Sequence, residues 1–236
     1  MASAISTPEL KRYDSQPSDI KSRLATSYNA IAPQYNTFTA THDTLRLTYT
    51  QKLLSHLPQP TQDPSSQLQP KALELGCGAC GSGTRLLLSH NFHVTGNDIS
   101  SAQLELARAN NEDFKDSLEL KEGDMMSLTF PDASLDAVVA FYSIIHLPRA
   151  EQVVLISRIA GWLKPGGLFL ANFSEAEAEG SVNEKWLGEK GWMFWSSWGG
   201  EQSVEMVEDA GLELLLREVS RDVADADFVW VLGRKK

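Results

Sequence analysis

The sequence LELGCGACG at residues 73–81 decides the fold class. It joins a short apolar run, Ala72 to Leu75, to a glycine-dense turn, and a helical stretch, Thr84 to Ser89, follows. Gly76 and Gly78 let the backbone bend sharply and approach a ligand where a Cβ atom would collide. A strand, a glycine turn and a helix in this order predict a ligand site beyond the carboxyl end of a parallel strand.

Strand and helix patterns alternate after this turn. Further strands are predicted at Phe92 to Asp98, Leu118 to Glu122, Leu135 to Phe141, Leu168 to Phe173, Leu212 to Val219 and Asp227 to Leu232. Helices are predicted between them, at Ser100 to Asn111 with Ser100 as the cap and after Pro148, and Lys164 to Gly167 predicts a turn. This alternation predicts an α/β fold with a doubly wound, mainly parallel, seven-stranded sheet and helices on both faces.

The first 70 residues differ in character from the rest. Residues 1–18 are polar with two prolines, which predicts a flexible tail. Apolar residues at helical spacing predict two helices within 19–57, and Pro33 is expected to end or kink the first. The sequence PQPTQDPSSQLQP at 58–70 predicts a linker. The main domain is therefore predicted over 71–236, with an aromatic-rich insertion at 175–200.

The composition argues against several classes of partner. The chain has 31 acidic and 21 basic residues, a formal net charge of −10. This charge repels phosphate backbones and anionic lipid surfaces, so neither nucleic acid nor a membrane is predicted as a partner. The sequence has no run of 18 apolar residues and no N-terminal apolar stretch of signal-peptide length. Because only two cysteines occur, a cytoplasmic location is expected. Nothing in the sequence predicts the oligomeric state.

A carboxylate follows the glycine turn at a distance that suggests a nucleoside ligand. Asp98 ends the second predicted strand, 22 residues after Gly76, where it can accept hydrogen bonds from both hydroxyls of a ribose. Gly76, Gly78 and Gly81 also match the spacing of the dinucleotide-binding fingerprint. These residues alone leave a nicotinamide cofactor open.

Five segments in a fixed order favour a different cofactor. They are LELGCGACG, VTGNDIS, EGDMMSLTFPDASLDAVVAF, YSIIHLPR and LKPGG. From about Ser27 to Gly167 the chain resembles class I S-adenosylmethionine-dependent methyltransferases, especially the small-molecule type 11 or ubiquinone-biosynthesis-like group. The resemblance implies a Rossmann-like methyltransferase fold with an N-terminal helical cap. It also implies S-adenosylmethionine as cofactor and a small-molecule acceptor, with oxygen as the first expected accepting atom.

Two other functions stay open beside methyl transfer. A relative can keep the cofactor and catalyse another reaction, such as a cyclisation. The chain can also be a non-catalytic, cofactor-binding partner of another protein. Consumption of the cofactor separates both of these from a transferase, since a fold does not by itself determine the reaction.

The resemblance also implies roles for single residues. The implied cofactor contacts are Tyr28, Gly76, Cys77, Gly78, Asp98, Ile99, Asp124, Met125 and Phe141. Asp98 corresponds to the residue that holds the ribose, and Asp124 to the carboxylate that accepts from the adenine amine. Cys80 departs from the family, which commonly has glycine at that position, so an adjusted loop is expected.

The acceptor site is expected between the N-terminal helices and the aromatic insertion. Its predicted lining residues are Tyr35, Tyr142, Trp192 and Trp195. Tyr28 and Tyr35 also fit the buried stripe of an amphipathic helix, and the tryptophans also fit simple packing of the insertion. His146, just past the fourth strand, is either a general base for the acceptor or a loop anchor.

The cysteines and histidines allow one further interpretation. Cys77 and Cys80 with His90 and His93 form a Cys2His2 set on paper, and the cysteines alone could act in redox chemistry. The pairs are separated by only nine residues, which is shorter than in the usual zinc finger. No metal site is therefore predicted.

Overall fold

A computed structural model describes residues 11–12, 17–40, 43–57, 69–222 and 226–236. Its helices are α1 Ile20–Thr39, α2 Asp43–Ser55, α3 Ser82–Ser89, α4 Ser101–Asn110, α5 Arg149–Trp162 and α6 Gly200–Asp209. Its strands are β1 Lys11–Arg12, β2 Lys71–Leu75, β3 His93–Asp98, β4 Leu118–Glu122, β5 Leu135–Ala140, β6 Leu163–Ser174, β7 Glu177–Asn183, β8 Met193–Trp198, β9 Leu212–Arg221 and β10 Asp227–Lys235. Among the described residues, no helix combines the length and the apolar character needed to cross a membrane.

The main sheet has seven strands in the order β4-β3-β2-β5-β6-β10-β9. Strands β2 to β6 run parallel, whereas β10 is antiparallel to both β6 and β9. The predicted mainly parallel, seven-stranded sheet is confirmed. The chain moves outward from β2 to β4 and then returns to β5 on the other side of β2. The switch point therefore lies between β2 and β5, where open α/β sheets bind their ligands.

Apolar residues cover both faces of this sheet. One face packs on α5, which contributes Leu155, Ile156 and Ile159 to the core. The other face packs on α3 and α2, with Leu87 and Leu53 fully buried. Because both faces of β5 are covered, its run of apolar residues is almost entirely buried, as expected for a central parallel strand.

The sequence predicts that Pro33 ends or kinks the first helix. In the structure α1 does not end there and continues to Thr39. Pro33 lies on the exposed face, so the carbonyl group that loses its usual amide partner can be hydrated. The helix is fastened to the main domain by Asn29, whose Oδ1 accepts hydrogen bonds from Ser100 Oγ at 2.7 Å and from Ala102 N at 3.1 Å.

The aromatic insertion forms an antiparallel hairpin of β7 and β8, and β1 pairs with β7. Phe194 and Val182 of the hairpin are buried in one apolar cluster with Leu24 and Ile31 of α1. Lys11 and Arg12 thus form a short strand within the predicted flexible tail. The rest of that tail (1–10 and 13–16) and most of the predicted linker (58–68) lie outside the described residues.

The predicted turn at Lys164–Gly167 lies inside the start of β6 rather than before it. Leu135 pairs with Leu163, but Ala137 pairs with Leu168, so the segment between bulges out of the sheet. Gly166 has a φ of +81°, which glycine adopts without strain. The backbone therefore turns at the predicted position, and regular pairing with β5 resumes at Leu168.

Candidate functional site

A cleft of about 630 Å³, part of it open to solvent, lies at the switch point. It is formed by α1 and by the loops that follow β2, β3, β4 and β5. Ten of the predicted site residues line it: Tyr28, Tyr35, Gly76, Gly78, Asp98, Ile99, Asp124, Met125, Tyr142 and His146. Cys77 and Phe141 line a second cavity instead, and Trp192 and Trp195 line neither.

The glycine turn is held in one conformation. Gly76 has a φ of +63°, and a Cβ atom added to it would lie 2.5 Å from the Cβ of Ser143. Gly78 has a φ of +53° and donates its backbone N–H to the Asp98 carboxylate at 2.8 Å. The backbone N–H of Cys77 donates to Asn97 O at 2.9 Å. These bonds tie the turn after β2 to the end of β3.

Asp98 is the polar centre of the cleft. Its two carboxylate oxygens accept from Gly78 N at 2.8 Å and from Ser100 N at 2.9 Å. Burial raises the pKa of Asp98 to about 6, although these backbone hydrogen bonds oppose the shift. A carboxylate oxygen can accept more than one hydrogen bond, so Asp98 can still accept from a ligand hydroxyl.

Asp124 lies across the cleft and is shared with α1. Its Oδ1 accepts from Met126 N at 2.9 Å, and its Oδ2 forms an ion pair with Lys21 Nζ at 2.7 Å. Lys21 also contacts the carboxylate of Glu151 at 2.8 Å. Sequence reasoning did not predict Lys21 as a site residue. It is one lysine among several on the chain, and only the docking of α1 brings it to the cleft.

His146 is hydrogen bonded through both ring nitrogens. Its Nδ1 lies 2.8 Å from the carbonyl oxygen of Phe194, which can only accept, so Nδ1 carries the proton. Its Nε2 lies 2.8 Å from the Tyr28 hydroxyl and accepts from it. Burial lowers the pKa of His146 to about 4, so the ring is neutral at pH 7. This arrangement favours the anchoring role over the general-base role.

An aromatic wall extends from the cleft toward the hairpin. We use this name for Tyr28, Tyr35, Phe38, Trp186 and Trp195. Ring centroids within it are 5.0 Å apart for Tyr28 and Tyr35, 5.7 Å for Tyr35 and Trp186, and 5.8 Å for Trp186 and Trp195. Of its members, Tyr28 and Tyr35 line the cleft and give it an apolar side, as expected of a pocket for an apolar or aromatic molecule.

Trp192, predicted to line the acceptor pocket, is placed elsewhere. It is buried in the cluster between α1 and the hairpin, and the Arg23 guanidinium lies 4.1 Å from its ring centre. Trp192 therefore packs the insertion against α1. Trp195 is closer to the site, because its ring centre is 6.2 Å from that of His146.

A second cavity lies on the other side of the glycine turn and shares Tyr35, Gly76 and Gly78 with the cleft. Its lining is more polar and includes Asp43, Arg46 and Glu74. Burial raises the pKa of Glu74 to about 7. Arg46 was not predicted either, since a single arginine on an amphipathic helix is most often a solvated surface residue.

The structure contradicts the possible Cys2His2 set. Cys77 and Cys80 are buried free thiols beyond the carboxyl end of β2, whereas His93 pairs with Lys71 at the opposite end. The four residue-to-residue steps from Lys71 to Leu75 alone separate these ends by about 13 Å. Among the residues that the structure describes, no group of three or more histidine, cysteine or acidic side chains could hold a metal ion.

Cys80 replaces the glycine expected at its position without opening the turn. It has a φ of +51°, a left-handed conformation that costs a residue with a Cβ atom about 1–2 kcal/mol. Its backbone N–H donates to Cys77 O at 2.9 Å, and its side chain packs with Leu104 and Ala107 of α4. The loop is thus adjusted and intact.

Part of the chain that forms this site is similar to known proteins. Residues 72–167 match the family described as "Methyltransferase domain". Over 101 residues the chain is 40 % identical to a sterol 24-C-methyltransferase of Gibberella zeae, an alignment that covers 42 % of this chain and 26 % of that enzyme. It is 38 % identical over 106 residues to the 27-O-demethylrifamycin SV methyltransferase of Amycolatopsis mediterranei, which covers 44 % and 38 %. The matched part therefore spans about a quarter to two fifths of these relatives.

A solved structure shares the whole architecture. The chain superposes on the [4+2]-cyclase SpnF with a TM-score of 0.66 and 19 % identity, covering 89 % of this chain and 94 % of the cyclase. At this identity the likeness concerns the fold.

Proposed function

We propose that the chain transfers a methyl group from S-adenosylmethionine to a small molecule. The premise of this proposal is that residues 72–167 match the methyltransferase-domain family and include the strands on both sides of the switch point. A hydroxyl oxygen is the expected acceptor. The observation that carries the proposal is the cleft at the switch point, where Gly76, Gly78 and Asp98 together form the kind of site that binds a nucleoside. A cytoplasmic location is part of the same proposal.

The residues present fit the nucleoside half of this cofactor. Asp98 can accept hydrogen bonds from the ribose hydroxyls, since each of its oxygens has spare accepting capacity. Ile99 and Met125 offer apolar surface for the adenine ring. Asp124 is proposed to accept from the adenine amine, sharing its carboxylate with Lys21.

The second cavity fits the amino-acid half. Gly76 and Gly78 line both cavities, so a ligand that crosses the glycine turn reaches from one to the other. Arg46 supplies a guanidinium for the α-carboxylate, and Asp43 and Glu74 supply carboxyl groups for the α-ammonium. In this assignment a basic side chain faces the carboxylate of the cofactor, and acidic side chains face its ammonium group.

The bound sulfonium supplies an activated methyl group, so the main task of the chain is to orient the acceptor and to exclude water. Tyr28, Tyr35 and Tyr142 would hold an apolar acceptor beside the glycine turn. His146 keeps the Tyr28 hydroxyl in place and fixes α1 against β8 through Phe194. Its predicted role as general base stays a prediction, because a base would first have to release Tyr28.

Calorimetry tests the proposal on the purified chain. S-adenosylmethionine and S-adenosylhomocysteine are expected to bind with micromolar dissociation constants, and NADH is expected not to bind. Binding of NADH alone would show that the glycine turn serves a nicotinamide cofactor. In a subsequent screen of hydroxylated aromatic and apolar compounds, formation of S-adenosylhomocysteine distinguishes a transferase from a cyclase or a non-catalytic partner.

Cofactor affinity should depend on pH through Asp98. The ionised carboxylate accepts at both oxygens, whereas protonation turns one oxygen into a donor and removes the charge. The pKa of Asp98 is raised to about 6 by burial. The affinity for S-adenosylhomocysteine is therefore expected to fall about tenfold as the pH is lowered from 7 to 5. Titration calorimetry at each of the two pH values measures this affinity. Glu74→Gln removes the contribution of the other carboxyl group whose pKa is raised, so the fall that remains in this variant is due to Asp98. A constant affinity in Glu74→Gln would contradict the assignment.

A further inference from the structure

Gln103 carries a buried polar side chain without a protein partner among the described residues. It lies in the first turn of α4 and is 1 % exposed. Among the residues that the structure describes, neither its amide oxygen nor its amide nitrogen has a hydrogen-bond partner. Its side chain lines the cleft. A buried amide without hydrogen-bond partners destabilises the folded protein, so the presence of glutamine at this position needs an explanation.

The packing and hydrogen bonding of α4 do not require a glutamine side chain at this position. The contribution of Gln103 to the helix comes from its backbone N–H, which donates to the capping Ser100 Oγ at 3.2 Å. Its neighbours on the inner face of α4 are Leu104 and Ala107, which pack in an apolar cluster. An unbranched apolar side chain would satisfy this packing equally well, because methionine fills such gaps readily.

Two other buried groups in the cleft are also incompletely paired, but each has a structural role. Asn97 has an unpaired Oδ1, yet its amide nitrogen donates at 3.0 Å to Lys121 O and to Gly123 O. Ser143 has an unpaired Oγ, and its Cβ packs closely against Gly76. Gln103 alone of these three has both polar atoms of its side chain without a protein partner.

The position of the amide indicates which part of a ligand it meets. Gln103 Oε1 lies 3.7 Å from the point that a Cβ atom on Gly78 would occupy, and Gly78 N donates to Asp98. The amide and the carboxylate therefore both lie close to Gly78. A carboxylate only accepts hydrogen bonds, whereas an amide both donates and accepts. Vicinal hydroxyls offer two donors and two acceptors, which this pair of side chains matches.

We propose that Gln103 is a second ribose-binding residue, which shares the 2′- and 3′-hydroxyls of an adenosine-containing cofactor with Asp98. The proposal rests on the proposed function and adds a specificity determinant to it. The free protein leaves the amide unpaired, and the bound ribose gives it partners. The residue thus lowers the stability of the free chain and raises its affinity for a ribose.

Gln103→Met tests this by keeping the shape of the side chain and removing both polar atoms. The variant is expected to bind S-adenosylhomocysteine about tenfold more weakly than the wild-type chain, the usual effect of losing a well-made hydrogen bond. Without ligand, its melting temperature is expected to rise by about 2–4 °C. Glu105→Met, on the exposed side of the same helix, is the matched control and should change neither the affinity nor the melting temperature.

Deoxy analogues show whether the lost contact is to the ribose. The 2′-deoxy and 3′-deoxy forms of S-adenosylhomocysteine should bind the wild-type chain more weakly than the parent compound. In Gln103→Met at least one of these deoxy penalties should nearly disappear. An unchanged affinity, penalties equal to those of the wild type, or a lower melting temperature would each overturn the proposal. If the wild-type chain itself does not bind S-adenosylhomocysteine, the proposed function fails first and the inference with it.

Discussion

Replacing Asp98 by asparagine is expected to weaken S-adenosylhomocysteine binding by a factor of about 100 or more. Asparagine has one accepting oxygen, but two backbone N–H groups, of Gly78 and Ser100, point at this side chain from opposite sides. One of them would face the new amide nitrogen, which also donates. The variant therefore loses a charged acceptor for the ribose and an anchor of the glycine turn, and hydrogen bonds to charged groups contribute about 1.5–3 kcal/mol each.

Titration calorimetry on Asp98→Asn measures this loss. The matched control is Asp116→Asn, because Asp116 is an exposed carboxylate away from the cleft, and its replacement should leave the affinity unchanged. Circular dichroism establishes that both variants are folded. An affinity within threefold of the wild type in a folded Asp98→Asn chain would mean that the ribose is held elsewhere.

Replacing Gly76 by alanine is expected to lower the free energy of unfolding by about 3 kcal/mol and to abolish measurable cofactor binding. An L-residue at a φ of +63° is strained by about 1–2 kcal/mol. In addition, the new methyl group would overlap the Cβ of Ser143 at 2.5 Å. Relieving that overlap moves β2 away from the loop after β5, at a typical cost of about 1–3 kcal/mol.

Gly166→Ala separates the two causes. Gly166 also has a positive φ, of +81°, but a Cβ atom there would meet no atom within 4 Å. This variant should show the conformational strain alone, about 1–2 kcal/mol in urea unfolding, and should bind S-adenosylhomocysteine normally. Equal losses of stability in the two variants would show that the contact with Ser143 is not important.

The central sheet could be predicted because its information is local. The strand, glycine turn and helix at residues 71–89 appear in the sequence as an apolar run, two glycines and a helical period. Ser100 was predicted as a cap, and its Oγ does accept from the backbone of the third residue after it. Where the pattern is set by neighbours along the chain, the elements follow from it.

The hairpin and α6 were not predicted because their information is not local. Strand β7 reads EAEGSVN, which is polar, and its buried end is explained only by the packing of α1 against it. Helix α6 begins after Gly199, which has no side chain to cap it, so the usual signal of a helix start is absent. Such elements depend on contacts between distant segments.

The site was predicted to different extents for the same reason. Residues that follow strands, such as Asp98 and Asp124, line the cleft, since the carboxyl ends of parallel strands share one edge. Lys21, Arg46 and Gln103 come from helices, and the side that a helix turns toward the cleft depends on tertiary packing. The same limit applies to Trp192, whose aromatic character was clear but whose burial under Arg23 was not.

Asp124 links the first helix to the site proposed for the cofactor. The carboxylate that is proposed to meet the adenine already holds Lys21 of α1 at 2.7 Å, and Asn29 fastens the same helix to the start of α4. If the ligand alters the strength of the Lys21 contact by some factor, the docked helix must alter ligand affinity by the same factor, because coupling between two binding equilibria is reciprocal. One coupling free energy then describes both the effect of the ligand on the docking of α1 and the effect of α1 on ligand binding.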